Sequence, residues 1–334
     1  MMTARAVVQK ASLVSACLIA AGCGGGVFNA VTGPTLPAPS AVSNGPQLGY
    51  VWDAASQTLR PILGLPGSSQ GGQPVTTAGA YVFGAASAKS SIALLEAADG
   101  SLSEMALPAG AAAPIAGVKV AAGAVIAFSP SGQNAIVYAK GASSVTLLTG
   151  LSSTVQVQPI AAPSALVAAA VSDTAQVAAV AGSGPLSLNA LTGGKGVLTS
   201  LASYGGMNFL PGGSDLLAAD ASSGAVMLIR NSASSPALQT FNASAISAPV
   251  AVAASGDGHW AVVANGGDAS VVRIDLSGGT AALRIACACQ PTELATFTGN
   301  AVFRVTTVST GPVWMVDASA ATPQALFIPA MVKP

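Results

Sequence analysis

The sequence predicts an all-β chain: a β-propeller of seven blades, each a four-stranded antiparallel sheet. Three observations predict it. First, one phrase keeps returning: an apolar lead, a Ser/Pro/Gly/Asp turn, an apolar run, a Gly/Ser turn and a second apolar run. AFSPSGQNAIVYAKGASSVTLLTG (127–150) states it most fully, and NFLPGGSDLLAADASSGAVMLIRN (208–231) and VAASGDGHWAVVANGGDASVVRIDLSGG (252–279) repeat it. Second, the turn residues Ser129, Ser172, Pro211, Ser255 and Thr298 stand 43, 39, 44 and 43 residues apart. Third, the second apolar run occurs seven times, at VWD 51–53, ALLE 93–96, TLLT 146–149, LNAL 188–191, MLIR 227–230, RIDL 273–276 and WMVD 314–317. A period of about 40–45 residues made of short strands marks a propeller array. A helical array would need uninterrupted periods of ten or more residues. Here Gly, Ser, Pro or Asp breaks the chain every eight to twelve residues, so turn spacing outweighs the helix propensity of the many alanines.

The amino terminus reads as an address. Arg5 and Lys10 supply a positive region, Ala11 to Ala21 a short apolar one, and Ala20-Ala21-Gly22-Cys23 resembles the lipobox of bacterial lipoproteins. Residues 1–22 are therefore expected to be a signal peptide, with Cys23 acylated and Gly24-Gly25-Gly26 serving as a tether. The apolar run is shorter than the roughly 20 residues a membrane span needs. An ordinary secretory signal with an incidental Cys23 is the alternative. A second small-residue site before Cys17 has an apolar core of only about six residues, short of a normal signal. Residues 23–46 form the lipidated Cys and a Pro-, Ser- and Thr-rich linker, and 47–330 the propeller. The first apolar run reaches only six clear copies, so one blade is expected to be incomplete or to borrow a strand from residues 27–46.

Within the repeat, Ala135–Ala139 is nearly continuous and apolar, which suits a strand buried on both faces. Val271–Leu276 alternates, sending Arg273 and Asp275 to one face and Val272, Ile274 and Leu276 to the other. Gly266-Gly267-Asp268 before it is expected to supply the positive φ of a hairpin turn. SPSGQN (129–134) and SGDGHW (255–260), each followed by a strand, resemble the inner-strand turn of YVTN-type and WD40-like propeller repeats. This resemblance covers most of 47–330. True WD40 repeats differ in carrying a Gly-His pair and a Trp-Asp in each blade; here Trp52-Asp53 stands alone. PTELATFTGNAVFRVTTVSTGPVWMVDA (291–318) and LRPILGLPG (59–67) also resemble a group of bacterial lipoprotein propellers of unassigned function.

Hydrophobic residues make up 51 % of the 334 and charged residues 7 %, with zero formal net charge. That is ample for a large core, and it excludes nucleic acid, whose phosphates demand clustered cations. Of four cysteines, Cys17 leaves with the signal and Cys23 takes the lipid. Cys287 and Cys289 remain, in an oxidising compartment. They read as a small-loop disulfide or two buried small hydrophobes; a zinc site is poorly supported because the single His259 is about thirty residues away with no second Cys pair. His259 follows a repeat turn, at a slot where other copies hold Gln133, Gln176 or Asp215, so it reads as an ordinary polar turn residue. Asp173, Asp215, Asp257, Asp275 and Asp317 recur with the repeat, whereas a catalytic site breaks it. No G-x-S-x-G, P-loop, strand-linked G-x-G-x-x-G or H-E-x-x-H is present.

The sequence therefore points to a non-catalytic binding or scaffolding module, tethered to the bacterial envelope at the periplasmic or outer-membrane face. It would offer a propeller face to a protein, glycan or small ligand. No catalytic, metal or cofactor residue is assigned. The alternative is a propeller enzyme resembling lactonases or quinoproteins, for which Glu293, Asn208 and Asp53 are the only suitable polar residues at blade starts. Trp52, Trp260 and Trp314 are too few and too separated for the quinoprotein pattern.

Overall fold

The computed structural model describes residues 45–331 except 109, 122, 195, 309 and 310. Residues 1–44, with the expected signal peptide, Cys17, Cys23 and most of the linker, lie outside the described residues. What is described is all-β, with no helix among the described residues. Blade 1 is built from β1 (Gln47–Asp53), β2 (Thr58–Leu65) and β3 (Ser68–Gly71). Blade 2 holds β4 (Tyr81–Ala86), β5 (Ile92–Ala97), β6 (Ser101–Ala106) and β7 (Ala112–Lys119). Blade 3 holds β8 (Val125–Phe128), β9 (Ala135–Tyr138), β10 (Ser144–Thr149) and β11 (Gln156–Ala161). Blade 4 holds β12 (Leu166–Val171), β13 (Val177–Ala181), β14 (Leu186–Ala190) and β15 (Gly196–Leu201). Blade 5 holds β16 (Tyr204–Phe209), β17 (Leu216–Asp220), β18 (Ala225–Arg230) and β19 (Ala237–Asn242). Blade 6 holds β20 (Pro249–Ala254), β21 (Trp260–Asn265), β22 (Ser270–Asp275) and β23 (Leu283–Ala286). Blade 7 holds β24 (Ala295–Thr296), β25 (Val302–Arg304), β26 (Val313–Asp317) and β27 (Gln324–Ile328). Every blade is an antiparallel meander in sequence order; among the described residues blade 1 has three strands and the others four.

Strand alternation turns each blade into a two-sided wedge. In β5, Ile92 and Leu94 join the apolar cluster shared with blade 3, while Ala93 and Leu95 join the one shared with blade 1. In β9, Ala135 and Val137 face blade 2, and Ile136 and Tyr138 face blade 4. Seven such clusters fill the seven seams. A blade alone would leave both faces wet, so its stability belongs to the seams. The abundant alanine finds its reason here. Ala135, Ala178, Ala179, Ala218, Ala219, Ala261 and Ala264 are buried to 1 % exposure or less on second strands. Small side chains let the sheets converge toward the axis, as tapering β-structures require.

The seven-fold count holds, but its register needs correction. TLLT, LNAL, MLIR, RIDL and WMVD fall on or end just past third strands, whereas VWD lies in the first strand β1 and ALLE in the second strand β5. First, second and third strands can each carry an apolar run, as β1, β5 and β18 do, so such a run does not number its own strand. The first turn residue has a fixed signature, its N–H bonding a carbonyl at or just ahead of the start of the second strand: Ser87 to Ile92, Ser129 to Asn134, Ser172 to Gln176, Leu210 to Asp215, Ser255 to Trp260 and Phe297 to Val302. Pro211 and Thr298 thus stand one residue beyond the true repeat position. Gln133 is the counterpart of His259, while Gln176 and Asp215 correspond to Trp260. At Gly266 and Gly267 the need is space rather than positive φ. A Cβ there would lie 2.6 Å from Val250 and 2.4 Å from Ser247, and the left-handed residue of that hairpin is Ala269, with φ 51°.

The ring closes between blades 7 and 1 without a shared sheet. Thr298 N–H donates to Leu48 O at 2.6 Å. Phe297, 2 % exposed, lies where a Cβ on Gly49 would come to 2.9 Å of its ring. It occupies the slot that Ser87, Ser129, Ser172 and Ser255 fill in other blades. Leu48, Val51, Ile62, Val302, Val313, Met315 and Ile328 surround it. Truncating a buried phenylalanine costs about 3–5 kcal/mol. Phe297→Ala should therefore lower the unfolding free energy, measured by denaturant titration, by that amount, more than the exposed-aromatic control Phe327→Ala; equal effects would show that this seam does not hold the ring shut.

Candidate ligand channel

The first-to-second-strand turns gather at one end of the central channel and bond across the seams. Asp173 of blade 4 does the most. Its carboxylate accepts from Ser131 N–H of blade 3 at 2.7 Å and Gly212 N–H of blade 5 at 2.8 Å. In return Asn134 Nδ2 donates to Ser172 O and Asp173 O, both at 3.1 Å. Asp257 and Asn300 clasp blades 6 and 7: Asn300 Nδ2 donates to Asp257 Oδ2 at 2.8 Å, and Asp257 N–H donates to Asn300 Oδ1 at 2.9 Å. Ser90 Oγ donates to Gly132 O at 3.0 Å across blades 2 and 3. Gly132 itself is forced twice over. Its φ is 76°, and a Cβ would sit 1.9 Å from Ser87 Oγ. Lys89 reaches past blade 1 to Gly299 O at 3.5 Å.

These bonds govern the charge of the clasps. Burial pushes the Asp173 carboxyl up, but the N–H groups of Gly212 and Ser131 and the hydroxyls of Ser131 and Ser129 outweigh it and leave the pKa below its usual value. At Asp257 burial is likewise outweighed, by Ser255 Oγ–H, His259 N–H and Asn300.

Inside this mouth lies a cavity of about 880 Å³. Its wall carries Tyr50 and Trp52 of blade 1, Phe83 of blade 2, Phe128 of blade 3, Phe209 of blade 5 and Phe297 of blade 7. Four of the chain's eight phenylalanines thus line one space, in a sequence only 4 % aromatic. Phe209 and Phe297 are wholly buried, whereas Tyr50, Trp52, Phe83 and Phe128 keep partial exposure; Trp52 meets Phe83 edge-on with centroids 6.2 Å apart. Glu293 and Arg304 of blade 7 also line the cavity, paired Oε1 to Nη2 at 3.0 Å.

Of the polar residues named from sequence, the channel gathers Asn208 and Glu293 but not Asp53. Asn208 Oδ1 accepts from Ala254 N–H at 3.2 Å. Asp53 holds Arg60 Nε at 2.7 Å and Ser56 Oγ at 2.6 Å within blade 1. His259 does not line the cavity. Its side chain is 49 % exposed, edge-on to Trp260, with Nε2 3.8 Å from Asp275 Oδ1. Trp260 stacks instead under Arg273, whose guanidinium lies 4.4 Å from the ring centroid, and Trp314 packs beside Phe327. Cys287 and Cys289, just past β23, are joined by a disulfide with a Cα–Cα distance of 5.0 Å. Cys23 lies outside the described residues. Sequence reasoning missed Lys89, Arg304 and Glu96. Glu96 is 1 % exposed with Oε2 lacking a hydrogen-bond partner, and burial raises its pKa; it does not line the cavity.

No protein-family model matches the chain, and no curated protein matches it. Solved structures do. A functionally unknown protein from Desulfotomaculum acetoxidans superposes with TM-score 0.60 at 11 % identity, covering 86 % of this chain and 100 % of the other. A streptogramin B lyase gives 0.52 at 12 % identity, covering 73 % and 80 %. The propeller domain of Cps50 (Swd1) from Myceliophteria thermophila gives 0.53 at 12 %, covering 75 % and 87 %. At such identities the likeness shows the fold alone: a seven-bladed propeller with WD40-like neighbours.

The clasps should respond to acid with a fixed sign. A carboxyl whose folded pKa is depressed stabilises the fold above its ordinary pKa of about 4, and that stability is lost as pH falls through the folded value. Asp173→Asn should cost about 1–3 kcal/mol at pH 7, the range for a lost charge-assisted bond. It should also flatten the fall in urea midpoint between pH 5 and pH 2.5. An unchanged midpoint at pH 7 would remove Asp173 from the ring.

Proposed function

We propose that the chain is a non-catalytic binding module, lipid-anchored at Cys23 to the bacterial envelope, that takes a small ligand into its central channel. The observation that carries this reading is the 880 Å³ cavity with its concentration of aromatic side chains. That volume sits within the roughly 300–1,000 Å³ of small-molecule sites, which are apolar with a few placed polar groups. Specific observations weigh against the lactonase or quinoprotein alternative. Asp173, Asp257 and Asn300 are engaged in clasps, Glu293 is paired with Arg304, Asp53 is bound to Arg60 and does not line the cavity, and the three tryptophans lie in separate blades. Among the described residues no three His, Cys, Asp or Glu converge as metal ligands. Two of the structural neighbours are lyases, of streptogramin B and of virginiamycin B from Staphylococcus aureus, but identities of 12 % and 13 % carry no chemistry across.

Native mass spectrometry of the mature protein, extracted from membranes in mild detergent, should show a chain carrying a diacylglyceryl group plus a dissociable small molecule. Cys23→Ser should leave the protein unprocessed or release it from the membrane fraction. Wild-type protein without lipid would overturn the anchor.

His259→Gln copies the residue that blade 3 holds at the same position. It should change stability by less than about 0.5 kcal/mol, as exposed substitutions do, and leave ligand binding intact. Loss of a measurable hydrolase or lactonase activity at unchanged melting temperature would replace the binding reading with the enzyme.

A further inference from the structure

Arg304 breaks the repeat. It follows Phe303, the residue opposite the last position of the inner strand, and in the other four-stranded blades that place holds Leu94, Ile136, Ala178, Leu217 and Val262. All five are apolar and buried to 1 % exposure or less. A seam that needs only packing calls for a hydrophobe, and blade 7 supplies a guanidinium. Its partner Glu293 comes from the segment leading into β24. The pair is badly served for stability. Glu293 Oε1 and Arg304 Nε are buried without a hydrogen-bond partner, and the 3.0 Å approach of Nη2 to Oε1 falls outside hydrogen-bond geometry. A buried ion pair with unmet polar atoms is commonly no better than well-packed hydrophobes. The pair is not sealed off, however. Arg304 keeps 16 % and Glu293 29 % side-chain exposure, and both line the same cavity as the partly exposed aromatic side chains of blades 1 to 3.

Building on the channel reading, we propose that Glu293 and Arg304 are the polar anchor of the ligand site, and that the ligand class is a small aromatic or planar molecule bearing a neutral amide. The pair presents a donor and an acceptor side by side with no net charge. An amide offers the reciprocal acceptor and donor. A carboxylate would meet the repulsion of Glu293, and an ammonium that of Arg304, each in a site where desolvation penalises an unbalanced charge. The ring of such a ligand would lie against Tyr50, Trp52, Phe83 and Phe128.

The test uses the full mature protein and four probes of similar size: benzamide, benzoate, benzylammonium and toluene, titrated by calorimetry or ligand-observed NMR. Wild type should bind benzamide at least tenfold more tightly than either ion. Glu293→Leu with Arg304→Leu should keep the melting temperature while weakening benzamide at least tenfold and leaving toluene unchanged. Should that double variant fail to fold, Glu293→Gln keeps the shape and leaves Arg304 uncompensated; it should raise the benzoate-to-benzamide preference at least tenfold. Binding of the aromatic probes that ignores both variants overturns the anchor and leaves the channel reading standing, as does a wild-type preference for benzoate or benzylammonium. Failure of every probe, toluene included, to bind wild type overturns both.

Discussion

Everything in this molecule depends on the seam between neighbouring blades. A blade has two apolar faces and no means of covering either, because its strands send alternate side chains to opposite sides. Closure is therefore not a finishing step but the condition under which the apolar half of this sequence leaves water. Near the axis the sheets are closest, and the second strands answer with many alanines and valines, Ala178, Ala179, Ala218, Ala219, Ala261 and Ala264 among them. The same convergence explains why glycine stands where one blade's turn presses the next, as Gly132 does against Ser87. Two kinds of interaction share the seam. Apolar clusters supply the bulk of the burial, and the turn clasps of Asp173, Asn134, Asp257 and Asn300 fix how one blade is registered on the next. These clasps are well satisfied: Asp173 touches three consecutive blades.

The fold was legible in the sequence because turns are chemically constrained and strands are not. A tight turn favours a first residue whose side chain can bond its own backbone. Ser87, Ser129, Ser172 and Ser255 do this, each hydroxyl accepting an N–H from its own turn. The spacing of Ser129, Ser172 and Ser255, with Pro211 and Thr298 one residue late, therefore revealed the repeat. An apolar tripeptide has no such signature, so VWD and ALLE counted toward seven while lying in first and second strands. The three-stranded blade 1 was equally hard to place. Its third strand, Ser-Ser-Gln-Gly, has no apolar run to match, and the true counterpart in blade 2, SLSEMA, alternates with Ser and Glu. The site was less legible still. Asn208 and Glu293 were noticed as polar residues at blade starts, but an aromatic wall drawn from five separate blades has no local trace. Arg304 did leave a signal, a cation inside the apolar stretch AVFRV. It became readable as an exception only once the register of the other blades was known.

Register separates the charged residues that serve the repeat from those that break it. The aspartates that seemed interchangeable by recurrence occupy different turn positions and do different work. Asp173 follows the turn serine directly, Asp257 stands one residue later and Asp215 ends its turn, holding Asn231 N–H at 2.8 Å within its own blade. All three serve the fold. Glu96 and Arg304 are the reverse: charged groups where the other blades place Val180, Ala219 and Ala264, or Leu94, Ile136 and Val262. Burial raises the Glu96 pKa, so its ionised form costs stability at neutral pH, and nothing in the fold requires a carboxyl there.

The place where the ring closes is also the place where it departs most from its own repeat. In blade 7 the turn serine is replaced by Phe297, the second-strand hydrophobe by Arg304, and the first two strands shorten to Ala295–Thr296 and Val302–Arg304. Phe297 and Arg304 pull in opposite directions. The ring fills the gap left by Gly49 and strengthens the seam, whereas the guanidinium brings unmet polar atoms into it. A seam serving closure alone would keep the first change and discard the second. Keeping both makes sense if blade 7 holds the ring shut through Phe297 so that the same edge can carry a polar pair into the channel, where a bound molecule recovers what the fold leaves unsatisfied.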